Sequence, residues 1–176
     1  MTKEDTIELA SCGIEKFHRI KTKMNEHFLE RGRLIHMVML GMIGQFNVVV
    51  IGDVGLAKTM IAESWYRAIN NSTFFIKLMN KNLPYDELFG PVDVEEYLKG
   101  VYTRKIEGYL PTCHYVALDE GFKANEIQIN PTLRCVNEKK FTNGNVEVDV
   151  PLRSLLVASN EKPKTAALDA FWSRML

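Results

Sequence analysis

The sequence predicts an α/β protein with a parallel sheet, and three observations carry that expectation. Short apolar or β-branched runs (residues 47–51, then "TFFIKLM", "HYVALDE" and "SLLVASN") alternate with stretches of helical period, the order of strand–helix–strand units. The first run is apolar after its opening Asn47, as a strand covered on both faces should be. No internal repeat or low-complexity tract interrupts the alternation.

Residues 6 to 43 read as helical, with a break near Gly32. A strand over 47–51 follows, then a glycine-bearing loop and a helix from about Lys58 to Ile69. That helix sets Ile61, Trp65, Ala68 and Ile69 on one face, the spacing of a helix packed on a sheet. "TFFIKLM" is the second strand. The segment "NLPYDELFGPVDVEEYLKGVYTRKIEGYLP" is punctuated by Gly and Pro and reads as a short helix followed by an excursion. "HYVALDE" is the third strand and ends in two carboxylates. Helical signals resume over 123–137 with Pro131 among them, where a kink or a fresh start is expected. "KKFTNGNVEVDVP" carries Asn143-Gly144 at a tight turn with period-two alternation behind it, a hairpin signal. "SLLVASN" is the fourth strand of the main sheet, and "ALDAFWSRML" begins a helix.

Composition narrows the function classes. The 176 residues suit one domain, or one with a short appendage. Twenty-two basic and twenty-two acidic residues cancel, so net charge gives no reason to expect nucleic acid. Cys12, Cys113 and Cys135 lack metal spacing and read as buried, reduced thiols of a cytoplasmic protein. The opening "MTKEDTIELAS" lacks the order of a signal peptide. Residues 34–51 carry no formal charge, but His36, Gln45 and Asn47 interrupt them and the period changes midway. A helix, a turn and a strand are expected there instead of a membrane span.

The chemistry lies in the stretch "NVVVIGDVGLAKTMIAESW". A strand, a loop with Gly52 and Gly55, a Lys-Thr pair and a helix form the layout of a phosphate-binding loop, in which inward backbone N–H groups and a helix N-terminus cradle an anion. Gly52, Asp53, Val54, Gly55, Leu56, Ala57, Lys58 and Thr59 are the expected nucleotide-binding residues. Lys58 would reach the β- and γ-phosphates, and the Thr59 hydroxyl would bind Mg²⁺. Ala57 stands where the strict pattern has glycine, and is expected to fit if its φ is negative. About sixty residues on, "VALDE" places Asp119 to hold Mg²⁺ through water and Glu120 to activate the attacking water. Asn160, ending "LLVASN", could orient that water, although an Asn after a strand is as often a turn former. Arg174 could reach a neighbouring subunit's γ-phosphate, but by itself reads as a helix-surface arginine.

Taken together, "GDVGLAKT", "LFGPVDV", "EGYLP", "VALDE", "LLVASNEKP" and "FWSRML" resemble the AAA+ module of MoxR ATPases, closest to the RavA branch, over about Glu30 to Leu176. The resemblance implies a three-layer α/β/α P-loop NTPase core with a parallel sheet, N-terminal helices and a small β-hairpin. It divides the chain into an N-terminal helical segment, 1–25, and an AAA+ ATPase core, 26–176. Loops of that family carry alanine before the lysine, which accounts for Ala57. The family's lysine and Mg²⁺-binding hydroxyl fall on Lys58 and Thr59, its acidic pair on Asp119 and Glu120, its sensor asparagine on Asn160 and its arginine finger on Arg174. ATP and Mg²⁺ are the implied ligands. The implied activity is hydrolysis in a ring, usually a hexamer, coupled to chaperone-like remodelling beside a von Willebrand factor A domain partner. The Asn-Lys-x-Asp base reader of GTPases is absent, no acceptor pocket of a small-molecule kinase is signalled, and the adenine contacts are expected near Arg31.

Four departures carry expectations of their own. Asp53-Val54 replaces Pro-Pro and should weaken phosphate binding unless Asp53 points outward. Gly121 follows the acidic pair where the family has a branched apolar residue, so Glu120 is expected to be held less firmly. Pro131 lies inside a helix. The family's fifth strand and helical lid are missing before Leu176, which would leave "NVVVI" at an open sheet edge. A piece of a longer protein is preferred over a shortened homologue that binds nucleotide or partners without turnover.

Overall fold

The computed structural model describes residues 3–53, 55–162 and 173. In chain order the helices are α1 (Lys3–His27), α2 (Gly32–Gly44), α3 (Lys58–Arg67), α4 (Asp86–Phe89), α5 (Val94–Leu98) and α6 (Glu126–Asn137). The strands are β1 (Val48–Ile51), β2 (Phe74–Leu78), β3 (Tyr115–Asp119), β4 (Lys140–Asn143), β5 (Val146–Asp149) and β6 (Ser154–Ser159). Among the described residues the main sheet has four parallel strands in the order β1-β6-β3-β2, and β4 and β5 form a separate antiparallel hairpin.

The order places the two most buried strands inside. Every residue of β6 is buried, as are the first four of β3. Two cores lie on opposite faces of this sheet. One gathers α2 and α3 through Ile35, Val38, Ile61 and Trp65 against Ala117, Leu156 and Ala158. The other gathers Leu88, Phe89, Ile129 and Leu133 against Val116, Leu155 and Val157. Alternate residues of β3 and β6 thus supply opposite cores, the period of a strand covered on both sides.

Helix α3 turns Ile61, Ala62, Trp65 and Tyr66 inward, whereas Ala68, expected on that face, is exposed beyond the helix end. Two bonds from buried aromatic side chains fix α3. Trp65 Nε1 donates to the Ile35 carbonyl at 3.1 Å, and the Tyr66 hydroxyl donates to the Val116 carbonyl at 3.2 Å. Burial, reinforced by neighbouring Tyr115, pushes the Tyr66 hydroxyl well above the ordinary tyrosine range.

The charge-free stretch 34–51 divides into α2, a left-handed turn at Gln45 and β1. No described helix is long and apolar enough to cross a membrane. Helix α6 runs through Pro131 as one element, so proline neither ends nor restarts it. The reason lies at its start. Asn125 and Gln128 exchange bonds in a capping box, and the Gln128 amide donates to the Leu83 carbonyl at 2.6 Å, anchoring the first turn. The carbonyl that Pro131 leaves without its helical donor is that of Ile127, an exposed residue open to water.

The hairpin turn lies one residue later than Asn143-Gly144 would centre it, because Asn143 still pairs with Val146. The Asn143 side chain is used elsewhere. Its Oδ1 accepts from the Arg104 N–H at 2.7 Å and its Nδ2 donates to the Arg104 carbonyl at 3.0 Å. This peptide-like pair clips the hairpin to the excursion over 91–105. Arg104 itself pairs with Asp86 and donates to the Gly90 carbonyl at 2.7 Å.

Candidate functional site

The loop after β1 is tied to the sheet by the Gly52 N–H, which donates to the Ser159 carbonyl at the end of β6 at 3.1 Å. It then turns through Gly55 at φ +83° and Ala57 at φ +54°. Ala57 is therefore left-handed, so it does not meet the condition of a negative φ under which alanine was expected to fit. The conformation costs an alanine about 1–2 kcal/mol, and the helix behind it holds it in place. The Ala57 carbonyl accepts from the Ile61 N–H at 3.0 Å, the first turn of α3, and no side chain caps that N-terminus. The first N–H groups of α3 are thus left to an external acceptor, and a left-handed residue before them aims the backbone as an anion nest requires.

Lys58 is buried and its Nζ donates to the carbonyls of Gly52 and Asp53, each at 2.8 Å. It closes the loop on itself and holds the ammonium beside the cradle. Asp53 is exposed and lines neither cavity described below. That exposure is compatible with a carboxylate turned away from the cradle, the condition under which it would not weaken phosphate binding.

Two cavities flank this loop. One, of about 280 Å³, is lined by Gly55, Leu56, Ala57, Lys58, Thr59, Met60, Asp119 and Glu120. The other, of about 410 Å³, follows the outer edge of β1 from Val48 to Gly52 and is walled by Glu30, Arg31, Arg33, Leu34 and Met37. Leu56 and Lys58 belong to both. A ligand with a charged tail and an apolar planar head could span them, tail against the N–H groups and head against Leu34 and Met37.

The acidic pair closes the smaller cavity. Asp119 is the last residue of β3, its carbonyl accepts from the Met79 N–H at 2.7 Å, and its Oδ1 accepts from the Glu120 N–H at 3.1 Å. Glu120 is left-handed at φ +51° and begins a 3₁₀ turn, Gly121–Lys123. Gly121, expected to leave Glu120 less firmly held, has a close-packed reason of its own. A Cβ there would stand 2.5 Å from Val157 Cγ1, so glycine is what lets the turn press directly onto β6. Lys123, which sequence reasoning did not single out, brings its Nζ to 3.2 Å from Glu120 Oε2. Its only sequence signal was the three-residue spacing from Glu120.

The structure therefore brings together Gly55, Leu56, Ala57, Lys58, Thr59, Asp119 and Glu120. Asn160 is exposed just past β6 and lines neither cavity. Val54 and Arg174 lie outside the described residues. No cluster of three or more His, Cys, Asp or Glu that could hold a metal occurs among the described residues. Thr59 and Asp119 nonetheless suit Mg²⁺, which takes one or two protein oxygens and completes its shell from phosphate and water.

A family model described as the MoxR domain in the MoxR-vWA-beta-propeller ternary systems matches residues 15–176. The chain belongs to the MoxR family of AAA+ ATPases. This MoxR chain is 37% identical over 164 residues to the uncharacterized protein MJ0079 of Methanocaldococcus jannaschii, covering 93% of the chain and 43% of that protein. It is 37% identical over 159 residues to MJ0812 of the same organism, covering 90% and 42%. The MoxR chain thus spans less than half the length of these relatives. Among solved structures it is similar in fold to a candidate ATPase from Cytophaga hutchinsonii ATCC 33406, with TM-score 0.56, 20% identity and coverage of 90% and 49%. It is likewise similar to NtrX from Brucella abortus, with TM-score 0.54, 17% identity and coverage of 99% and 40%.

Proposed function

We propose that this chain is a MoxR/RavA-type ATPase module that binds Mg-ATP and couples its hydrolysis to chaperone-like remodelling of protein complexes. The observation that carries the reading is the pair of cavities that share Leu56 and Lys58 in their walls, with Asp119 and Glu120 lining the smaller one together with the loop. The triphosphate would lie on the Gly55–Thr59 backbone, with Lys58 turning from its own loop carbonyls toward the β- and γ-oxygens. The base would enter the larger cavity beside Leu34 and Met37. Thr59 and Asp119 would hold Mg²⁺, which neutralises charge on the phosphates when bound.

In hydrolysis a water oxygen bonds to the γ-phosphorus as the bond to the ADP oxygen breaks, and Glu120 takes the water's proton. The products are ADP and inorganic phosphate. The module would act in a cytoplasmic ring, with Arg174 reaching a neighbouring site. The family description supports a von Willebrand factor A domain partner.

Calorimetric titration of Mg-ATP into this chain and its Lys58→Ala variant tests capture. Micromolar binding that the variant loses is the expected result, and equal binding by both would remove the loop from the site. Phosphate release is then measured with Glu120→Gln, which should keep ATP bound and abolish turnover. A second reading, a nucleotide-responsive adaptor without turnover, is favoured by Asn160 standing outside the cavity. It predicts ATP-dependent association with no phosphate release above background.

A further inference from the structure

We propose that Lys123 is a positioning residue that holds the Glu120 carboxylate at the edge of the phosphate cavity. The inference deepens the hydrolysis reading and rests on it for the role of Glu120.

The arrangement is produced by the corner after β3. Glu120 adopts a left-handed backbone, which reverses the chain immediately beyond Asp119. The Lys123 N–H donates to the Glu120 carbonyl at 2.8 Å, so the turn closes on its own first residue. Gly121 allows this turn to lie flat against Val157, where any Cβ would collide. A turn so constrained returns the third side chain to the side of the first. Lys123 Nζ stands 3.2 Å from Glu120 Oε2 as a result.

The two partners are unequally exposed. The Glu120 side chain keeps 15% of its accessible surface and Lys123 keeps 41%. Oε2 is enclosed, and among the described residues it is the buried side-chain polar atom without a hydrogen bond. The contact with Lys123 is therefore a Coulombic approach without hydrogen-bond alignment. An enclosed carboxylate oxygen with no donor is costly, and a cation at this distance offsets that cost. Lys58 is not placed to substitute, since its ammonium donates to the carbonyls of Gly52 and Asp53. With Oε2 held on the side of the turn, Oε1 is the oxygen left to take a proton from water. Lys123 thus fixes which oxygen acts and restricts rotation of the carboxylate.

Two readouts test this. In the isotope-labelled chain, the Lys123 side-chain ¹⁵Nζ and ¹³Cε resonances are assigned by their loss in Lys123→Arg. They are expected to move in Glu120→Gln and to stay in place in Glu63→Gln, whose carboxylate pairs instead with Arg67. Lys123 resonances unmoved by Glu120→Gln would overturn the proposal, whether or not the chain hydrolyses ATP. The second readout is kinetic. Lys123→Met is expected to lower kcat about tenfold, the scale of a misplaced but present catalytic group. Affinity for Mg-ATP should stay within about twofold, and Lys123→Arg should recover most of the rate. An unchanged kcat in Lys123→Met would also overturn it. If the wild-type chain releases no phosphate, the hydrolysis reading fails by itself and the resonance experiment decides the pairing.

Discussion

Replacing Gly121 by alanine should destabilise the protein through one identifiable collision, and removing its partner should relieve it. The added Cβ would lie 2.5 Å from Val157 Cγ1, about 1 Å inside ordinary carbon–carbon contact, while its next neighbours, Leu118 Cβ and Val157 Cβ, are both at 3.7 Å. Val157 is fully buried in β6, and a β-branched side chain in a strand has little rotameric freedom with which to yield. Overpacking of this kind costs about 1–3 kcal/mol. For a chain of this length that lowers Tm by about 3–8 °C.

Val157→Ala alone should cost about 2 kcal/mol as a large-to-small change in the core. In the double variant the methyl introduced at position 121 enters space that the valine side chain has vacated. The destabilisation of that variant should therefore fall short of the sum by about 1–2 kcal/mol. Urea unfolding of the four proteins measures the cycle. Strict additivity would refute the claim that Val157 is what excludes a side chain at 121, and with it the account of why the corner after β3 carries glycine.

Further outcomes follow from other contacts. Asn143→Ala removes both bonds to Arg104 and should cost about 1–3 kcal/mol, read by urea unfolding and by faster hydrogen exchange at the Arg104 amide. Slow exchange preserved at Arg104 would mean that the clip is not what joins hairpin and excursion. Pro131→Ala restores a donor for the Ile127 carbonyl within α6 and should raise stability by about 1–2 kcal/mol after the proline's restriction of the unfolded chain is subtracted. An unchanged or lower urea midpoint would contradict this. Burial raises the Cys135 thiol to about 12. The unfolded thiol ionises near 8.5, so the stabilising effect is intact below that pH and is lost as pH rises toward 12, at about 1.4 kcal/mol per pH unit. Between pH 8 and 10.5 wild type should lose about 2.5 kcal/mol more than Cys135→Ala, and equal losses in urea midpoints would show that this thiol is not protected.

Local chemistry was enough to place the elements of the main sheet and the binding loop in the described part of the chain. Short apolar, β-branched runs bounded by turn residues and alternating with helical stretches read as strands of a parallel sheet. A glycine-bearing turn before Lys58 and Thr59 is the local pattern of an anion cradle, so the loop could be named as a candidate from the sequence. Asp119 and Glu120 were legible for the same reason, since a strand ending in carboxylates exposes them at one edge of the sheet. Other features depended on residues distant in sequence. Val157 decides that position 121 has no room for a Cβ, and Arg104 decides that Asn143 serves as a clip as well as a turn flank. The Asn125–Gln128 box and the Gln128 bond to Leu83 carry α6 through a proline that local propensity reads as a break. The backbone sign at Ala57, the exposure of Asp53 and Asn160 and the pairing of Lys123 with Glu120 were likewise settled only by packing. Sequence alone could name the groups able to meet a phosphate, because those properties belong to each residue. Tertiary structure decided which of them face one cavity, because direction and distance belong to the packed sheet and its connections.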